Sequence, residues 1–234
     1  MQNAHNSLNH FSAVLFDLDG TLFDTAPDLA FALNQLCLAY NTAQQAFADI
    51  RPRAGHGSHA LLKLAFNIEA THPNYSMLYE QYIKLYQTHM ADSTQLFTGV
   101  IEVLNYLQEN NIPWGIVTNK PQLLTMGLLS KLPLPYPPHC IICGDSLAKR
   151  KPHPEPILYA CELLRQSPSD CVYIGDTEID VIASKAAGTQ SLVALYGYAS
   201  LEEDPYAWRA DGYIQQPIEI IDWLQSAAIR PATE

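Results

Sequence analysis

The stretch Ala13-Val14-Leu15-Phe16-Asp17-Leu18-Asp19-Gly20-Thr21 joins a short apolar run to a turn that carries two carboxylates. The apolar run ends abruptly at Asp17, which predicts a buried strand followed by a polar loop. Gly20 permits the backbone of this loop to approach a ligand closely. Because ligands bind beyond the carboxyl ends of strands in open parallel sheets, we expect Asp17 and Asp19 to lie beside a bound ligand.

Short apolar strands alternate with helices through the second half of the chain. This alternation predicts a parallel sheet covered by helices on both faces, which is an α/β fold. The predicted strands after the first are residues 114–118, 140–143, 171–174, 191–195 and 211–214. The predicted helices between and after them are residues 100–110, 154–165, 179–187 and 218–225.

The segment between the first strand and residue 95 has a different pattern. A helix is expected to start at Pro27, and residues 42–94 contain no strand-like run. Helical spacing recurs over residues 59–66 and 75–90, where a row of tyrosines favours packing between helices. We therefore expect a helical cap at 24–94 inserted into a core formed by 1–23 and 95–234.

Polar residues follow other predicted strands as well as the first. Thr118 ends one strand, Asp176 follows another, and Asp180 lies four residues later in the first turn of a helix. Lys151 stands in a short basic run between the two. Several carboxylates gathered at one sheet edge repel each other unless a cation joins them, and oxygen ligands favour Mg²⁺. A hydroxyl and a lysine suit phosphoryl oxygens, so the set predicts phosphoryl transfer.

Each of these residues has an ordinary structural explanation when it is taken alone. An aspartate after a strand is commonly a turn or helix-capping residue, and a basic run is commonly a solvated loop. Asp180 alone would favour the helix dipole. Their occurrence at successive strand ends of one chain favours a shared site over these separate explanations.

Four motifs together resemble those of the haloacid dehalogenase superfamily, over about residues 13–225. The run from Asp17 to Thr21 is similar to its first motif, and Thr118 with Asn119-Lys120 to its second. Lys151 is similar to the third motif, and residues 175–180 to the fourth. The resemblance implies a Rossmann-like, three-layer core with an inserted helical cap.

The resemblance also implies a Mg²⁺-dependent phosphatase that works through an aspartyl-phosphate. Asp17 would be the nucleophile, and Asp19 would protonate the leaving alcohol and then activate water. The phosphate-binding residues would be Thr118, Asn119 and Lys151. The metal would be held by Asp17, the Asp19 carbonyl and Asp176, with Asp180 as a ligand or an outer support.

Within the superfamily, residues 21–25 and 51–57 resemble phosphoglycolate phosphatase-like enzymes. Other segments resemble N-acetylmuramic acid 6-phosphate phosphatases, so a sugar phosphate is the alternative substrate. Both substrates carry a carboxylate, which Arg53 or His56 would meet from the cap unless these residues form a solvated basic loop. A phospho-accepting switch and a non-catalytic scaffold are the alternatives from other functional classes.

Composition limits the partners of this 234-residue chain. Its formal net charge of −11 disfavours nucleic acid and anionic membrane surfaces as partners, and leaves a small phosphorylated metabolite. Five cysteines without a small-domain framework, and a start that lacks a signal-peptide pattern, predict a cytoplasmic protein.

Two local patterns are rejected. Gly55–Ala60 fits a loose dinucleotide motif but follows no strand, and the pair Cys140 and Cys143 lacks a second pair for zinc. The sequence does not indicate the oligomeric state.

Overall fold

A computed structural model describes residues 11–199 and 203–227 of the chain. The strands are β1 (Ala13–Phe16), β2 (Phe23–Asp24), β3 (Gln95–Leu96), β4 (Trp114–Val117), β5 (Cys140–Ile142), β6 (Cys171–Gly175), β7 (Gln190–Ala194) and β8 (Gly212–Ile214). The helices are α1 (Ala26–Ala39), α2 (Phe47–Ala54), α3 (Gly57–Phe66), α4 (Tyr75–His89), α5 (Val100–Glu109), α6 (Gln122–Lys131), α7 (Glu155–Leu164), α8 (Glu178–Ala187) and α9 (Glu219–Ala227). None of the described helices is long and apolar enough to cross a membrane.

Six strands form one parallel sheet in the order β5-β4-β1-β6-β7-β8. The strand β1 lies near its centre and is buried along its whole length. Its side chains alternate between two apolar layers: Val14 and Phe16 pack in one, and Leu15 packs with Tyr173 in the other. The expected α/β, Rossmann-like architecture is confirmed, because helices cover both faces of the sheet.

The helices α1 to α4 lie between β2 and β3, which pair as a two-stranded antiparallel ribbon. Leu33 and Leu36 of α1 are fully buried, as are Tyr82 and Tyr86 of α4. Their burial confirms that the tyrosine row of α4 serves packing, although Tyr86 also makes a polar contact described below. The ribbon was not predicted, since two-residue strands leave no alternating pattern to detect.

Two helices were absent from the sequence-based prediction. Only Ile50 and Ala54 of α2 are buried, and Pro52 lies inside it, so its sequence resembles a loop. The helix α6 carries apolar residues, Leu123 and Met126, on its exposed face as well as on its buried one. Its sequence therefore lacks the alternation of apolar and polar faces that marks an amphipathic helix. The other boundaries differ from those predicted by a few residues, as at the start of α1.

Candidate active site

The carboxylate of Asp17 lies at the end of β1, on the edge of the sheet where the parallel strands end. Its Oδ1 accepts a hydrogen bond of 2.8 Å from the backbone N–H of Leu18 and lies 3.0 Å from Nζ of Lys151. Within the described ranges, 11–199 and 203–227, these are the hydrogen bonds and ion pairs of this carboxylate, and neither involves Oδ2. One oxygen is therefore fixed by the protein while the other is available to a ligand.

Asp176 follows β6, the neighbour of β1, and is completely buried. Its Oδ2 accepts a hydrogen bond from the N–H of Tyr198 at 2.9 Å, and its Oδ1 accepts one from Thr21 Oγ1 at 3.3 Å. Gly20 has a φ of +80° and lies directly against this carboxylate, so a Cβ at that position would collide with it. The loop after β1 thus requires glycine for both its backbone angle and its contact with Asp176.

Asp180 is the third carboxylate of the cluster and lies in the first turn of α8. Its Oδ2 accepts hydrogen bonds from the N–H and the hydroxyl of Thr177, which completes a capping box at the start of the helix. Its Oδ1 accepts from Lys151 at 2.7 Å and from Tyr173 Oη at 3.1 Å. Both oxygens are therefore already bonded to protein, unlike those of Asp17.

The three carboxylates form a candidate metal centre. One ligand oxygen from each of Asp17, Asp176 and Asp180 lies within 4.8 Å of the others. Burial raises the pKa of Asp17 to about 6; the charges of Asp180 and Asp19 add to the rise, and Lys151 opposes it. Burial and the charges of Asp180 and Asp17 also raise the pKa of Asp176 well above its usual range. A hard divalent cation fits this set, because it would favour the charged carboxylates that burial disfavours.

Lys151 is the buried cation beside this cluster. Burial opposes its charge, but Asp17 and Asp180 outweigh that effect and raise its pKa, so it stays protonated. The side-chain amide of Asn119 donates a hydrogen bond of 2.9 Å to the backbone carbonyl of Lys151. The residues after β4 and the Lys151 loop are thereby tied together. Thr118, also buried, lies on the same edge and accepts a bond from the N–H of Lys120 at 3.2 Å.

Asp19 lies in a polar cluster that the sequence did not reveal. The Thr25 hydroxyl donates to its Oδ1 at 2.7 Å, and Nζ of Lys120 lies 2.9 Å and 3.0 Å from its two oxygens. The same ammonium donates to Tyr86 Oη of α4 at 2.9 Å and lies 4.6 Å from the centre of that ring. Lys120 had a sequence signal, since it is part of the second motif, but the pairing with Tyr86 depends on how α4 packs.

Residues 24–94, the expected cap, approach the candidate site through residues other than the two expected. Arg53 donates to the carbonyl of Asp49 in its own helix, and the imidazole of His56 lies 3.4 Å from Glu203. Arg51 instead donates to the carbonyls of Gly197 at 2.6 Å and Tyr196 at 3.1 Å, and its guanidinium lies over the ring of Tyr198. The sequence feature that could have indicated Arg51 is its place in the same basic segment as Arg53.

Tyr198 links this contact to the loop after β2. Its hydroxyl accepts hydrogen bonds from the N–H groups of Thr25 at 2.6 Å and Ala26 at 3.0 Å, and donates one to Asp24 at 3.0 Å. Its backbone N–H is the group that bonds Asp176. The segment between β7 and β8 therefore connects Arg51, the loop leading into α1 and the carboxylate cluster.

The two rejected local patterns have structural explanations. Gly55–Ala60 follows the helix α2 instead of a strand, so it lacks the setting of a dinucleotide-binding turn. Cys140 and Cys143 are buried and free.

Comparison with known proteins identifies the family. The family model for haloacid dehalogenase-like hydrolases matches residues 14–194, which is most of the chain. The chain belongs to the haloacid dehalogenase-like hydrolases. This result confirms the family resemblance drawn from the four sequence motifs. Several named relatives of the chain are phosphatases.

Two named relatives of this hydrolase cover nearly its whole length. A phosphoglycolate phosphatase of Xanthomonas campestris is 39% identical over 220 residues, which are 94% of this chain and 98% of the relative. An N-acetylmuramic acid 6-phosphate phosphatase of Pseudomonas aeruginosa is 33% identical over 215 residues, 92% of this chain and 95% of the relative. The crystal structure of a predicted phosphoglycolate phosphatase from Haemophilus somnus superposes with a TM-score of 0.82 at 25% identity, covering 91% of this chain and 97% of that one.

Proposed function

We propose that this hydrolase cleaves a small phosphomonoester by way of an aspartyl-phosphate, with phosphoglycolate as its substrate and N-acetylmuramic acid 6-phosphate as the alternative. The observation that carries the proposal is the Asp17 carboxylate, whose Oδ1 is held by Leu18 and Lys151 while Oδ2 is left for attack. The whole-length similarity to a phosphoglycolate phosphatase supports the first substrate over the second, since it is the higher in identity.

In the proposed reaction, Asp17 Oδ2 forms a bond to phosphorus while the bond from phosphorus to the leaving oxygen breaks. Asp19 donates a proton to that oxygen and later takes one from the water that attacks phosphorus, which releases Asp17 and phosphate. Thr118 and the ammonium of Lys151 supply donors to the phosphoryl oxygens. Asn119 supports them indirectly, through its bond to the Lys151 backbone.

Mg²⁺ is the cofactor that fits the carboxylate cluster. When bound, it would neutralise charge on the buried carboxylates and on the phosphoryl group. We assign Asp17, Asp176 and the backbone carbonyl of Asp19 to hold it. Asp180 is assigned to orient Lys151 from beside the metal, because each of its oxygens already accepts two bonds from the protein and one of the donors is the Lys151 ammonium. Each oxygen of Asp176, in contrast, accepts a single bond from an uncharged donor among the described residues.

We also propose a division of the chain into two domains. Residues 24–94 would act as a cap that closes over the substrate, and the remainder would carry the chemistry. The cytoplasm is the proposed compartment, which is consistent with five buried and unpaired cysteines.

The test is phosphate release with Mg²⁺ from phosphoglycolate, N-acetylmuramic acid 6-phosphate and p-nitrophenyl phosphate. We expect multiple turnovers, preference for phosphoglycolate and loss of turnover in Asp17→Asn, because an amide oxygen is a much poorer nucleophile than a carboxylate. The circular-dichroism spectrum of the variant should match that of the wild type. Transfer of a single phosphoryl group per chain would indicate a phospho-accepting switch, and no reaction with any ester would indicate a scaffold.

A further inference from the structure

Lys120 lies at the point where the cap helix α4 meets the acid Asp19. We propose that the Lys120 ammonium binds a carboxylate carried by the leaving group, and that it thereby selects esters of 2-hydroxycarboxylates. This inference rests on the proposed function, because it specifies the substrate class of the same site. It replaces Arg53 and His56 as the groups that recognise the carboxylate.

The surroundings of the ammonium show why it suits an anionic ligand. Lys120 is only 8% exposed, so little water solvates its charge. Its neighbours are the two oxygens of one carboxylate, that of Asp19, and the hydroxyl and ring of Tyr86. An ammonium has three N–H donors, and two of those of Lys120 donate to the two oxygens of the Asp19 carboxylate. One of these two can pass to a second carboxylate while the other keeps Asp19 in place.

The position of the ammonium matches a particular kind of leaving group. In the proposed reaction the ester oxygen lies within hydrogen-bond reach of Asp19, about 3 Å. Nζ of Lys120 is 2.9 Å and 3.0 Å from the two oxygens of the same carboxylate. When the ester oxygen and the ammonium both contact one Asp19 oxygen, they are at most about 6 Å apart. In a 2-hydroxycarboxylate ester, one carbon separates that oxygen from the carboxylate. The carboxylate therefore comes within reach of Lys120 when the ester oxygen reaches Asp19.

The other cations around the site have different partners in the described part of the chain. Arg51 donates to two backbone carbonyls, and Lys151 pairs with Asp17 and Asp180. Arg53 and His56 contact Asp49 and Glu203, neither of which belongs to the carboxylate cluster. Lys120 is thus the cation that directly contacts the acid assigned to the leaving group.

The experiment compares three esters of similar size: 2-phosphoglycolate, 2-phosphoglycolamide, in which an uncharged amide replaces the carboxylate, and ethyl phosphate. With the wild-type enzyme we expect kcat/KM for 2-phosphoglycolate to exceed those for the other two by about 10- to 100-fold, as for one charge-assisted contact in a buried site. In Lys120→Met this selectivity should fall to within about threefold of unity, since the substituted chain fills similar space without a charge. Activity on ethyl phosphate should fall less than activity on 2-phosphoglycolate.

Two further variants separate recognition from structural support. Lys120→Arg should restore most of the preference for 2-phosphoglycolate, because it restores a cation. Tyr86→Phe removes one hydrogen bond to the same ammonium but keeps its charge, so it should retain the preference.

Equal losses on all three esters in Lys120→Met would overturn the inference and leave Lys120 as a residue that only positions Asp19. If that variant does not fold, the wild-type comparison still decides: equal kcat/KM for 2-phosphoglycolate and its amide would refute recognition of the carboxylate. Failure of the wild type to hydrolyse any of these esters or p-nitrophenyl phosphate would instead refute the proposed phosphatase function, and this inference with it.

Discussion

In the absence of divalent cations, the free energy of unfolding of this protein should fall as the pH rises through the range in which the carboxylate cluster loses its protons. Burial raises the pKa of Asp17 from 3.8 to about 6 in the folded chain. Between these values the folded protein binds more protons than the unfolded chain does, so unfolding becomes easier as pH increases. The stabilisation from this group is complete below about pH 4 and is lost above about pH 6.

The size of the effect follows from the same two values. The difference between 3.8 and about 6 corresponds to about 3 kcal/mol of unfolding free energy, at 1.36 kcal/mol for each tenfold change in proton affinity. Asp176 should extend the decline to higher pH, because burial also raises its pKa. Mg²⁺ should oppose the decline by binding the charged form of the cluster, most strongly near neutral pH.

The assay is urea denaturation from pH 4 to 8, in chelator and in excess Mg²⁺, for the wild type and Asp17→Asn. The variant, which cannot ionise at this position, should lack about 3 kcal/mol of the decline in chelator. Asp49→Asn is the matched control, since it removes an exposed carboxylate from α2. A decline of the same size in Asp17→Asn and the wild type would refute the assignment of this pH dependence to Asp17.

Two further predictions concern the loops around the site. Gly20→Ala should abolish activity and weaken Mg²⁺ binding, because its Cβ would collide with the Asp176 carboxylate. Gly57 has the same φ of +80°, and a Cβ there would have no neighbour within 4 Å among the described residues, so Gly57→Ala should cost only about 1–2 kcal/mol of stability and retain activity. Equal effects in assays of activity and calorimetric Mg²⁺ titration would contradict this contact. Asp28→Ala should lower the unfolding free energy by about 2–4 kcal/mol, since buried Asp28 accepts bonds from the N–H and hydroxyl of Thr94. A change below about 0.5 kcal/mol in urea denaturation would contradict it.

The amino-acid sequence alone showed that polar residues repeatedly follow apolar strands. Parallel strands bring their carboxyl ends to one edge, so the alternation of strands and helices placed Asp17 and Asp176 on the same edge of the sheet. They lie close together there because β1 and β6 are neighbours in the sheet. The sequence alone did not distinguish the states of the carboxylates. In the structure, both oxygens of Asp180 accept hydrogen bonds from the protein, whereas only one oxygen of Asp17 does so within the described residues.

The contacts of helix α2 illustrate what sequence patterns cannot contain. Arg51 and Arg53 are two residues apart in α2, yet the first bonds carbonyls beyond β7 and the second bonds its own helix. Their different orientations follow from helical geometry in a segment whose helix lacked a clear apolar period.

The sequence by itself determined the α/β class, because that class follows from local periodicity. It also predicted the helical insertion and the members of the strand-end site, from the order of motifs along the chain. Only the tertiary structure decided which charges are paired. Lys120 lies 101 residues from Asp19 and 34 from Tyr86 in the chain, and the three meet because α4, which packs against α1, places Tyr86 beside the residues that follow β4. Such pairings depend on distance in space, which no local pattern of residue types encodes.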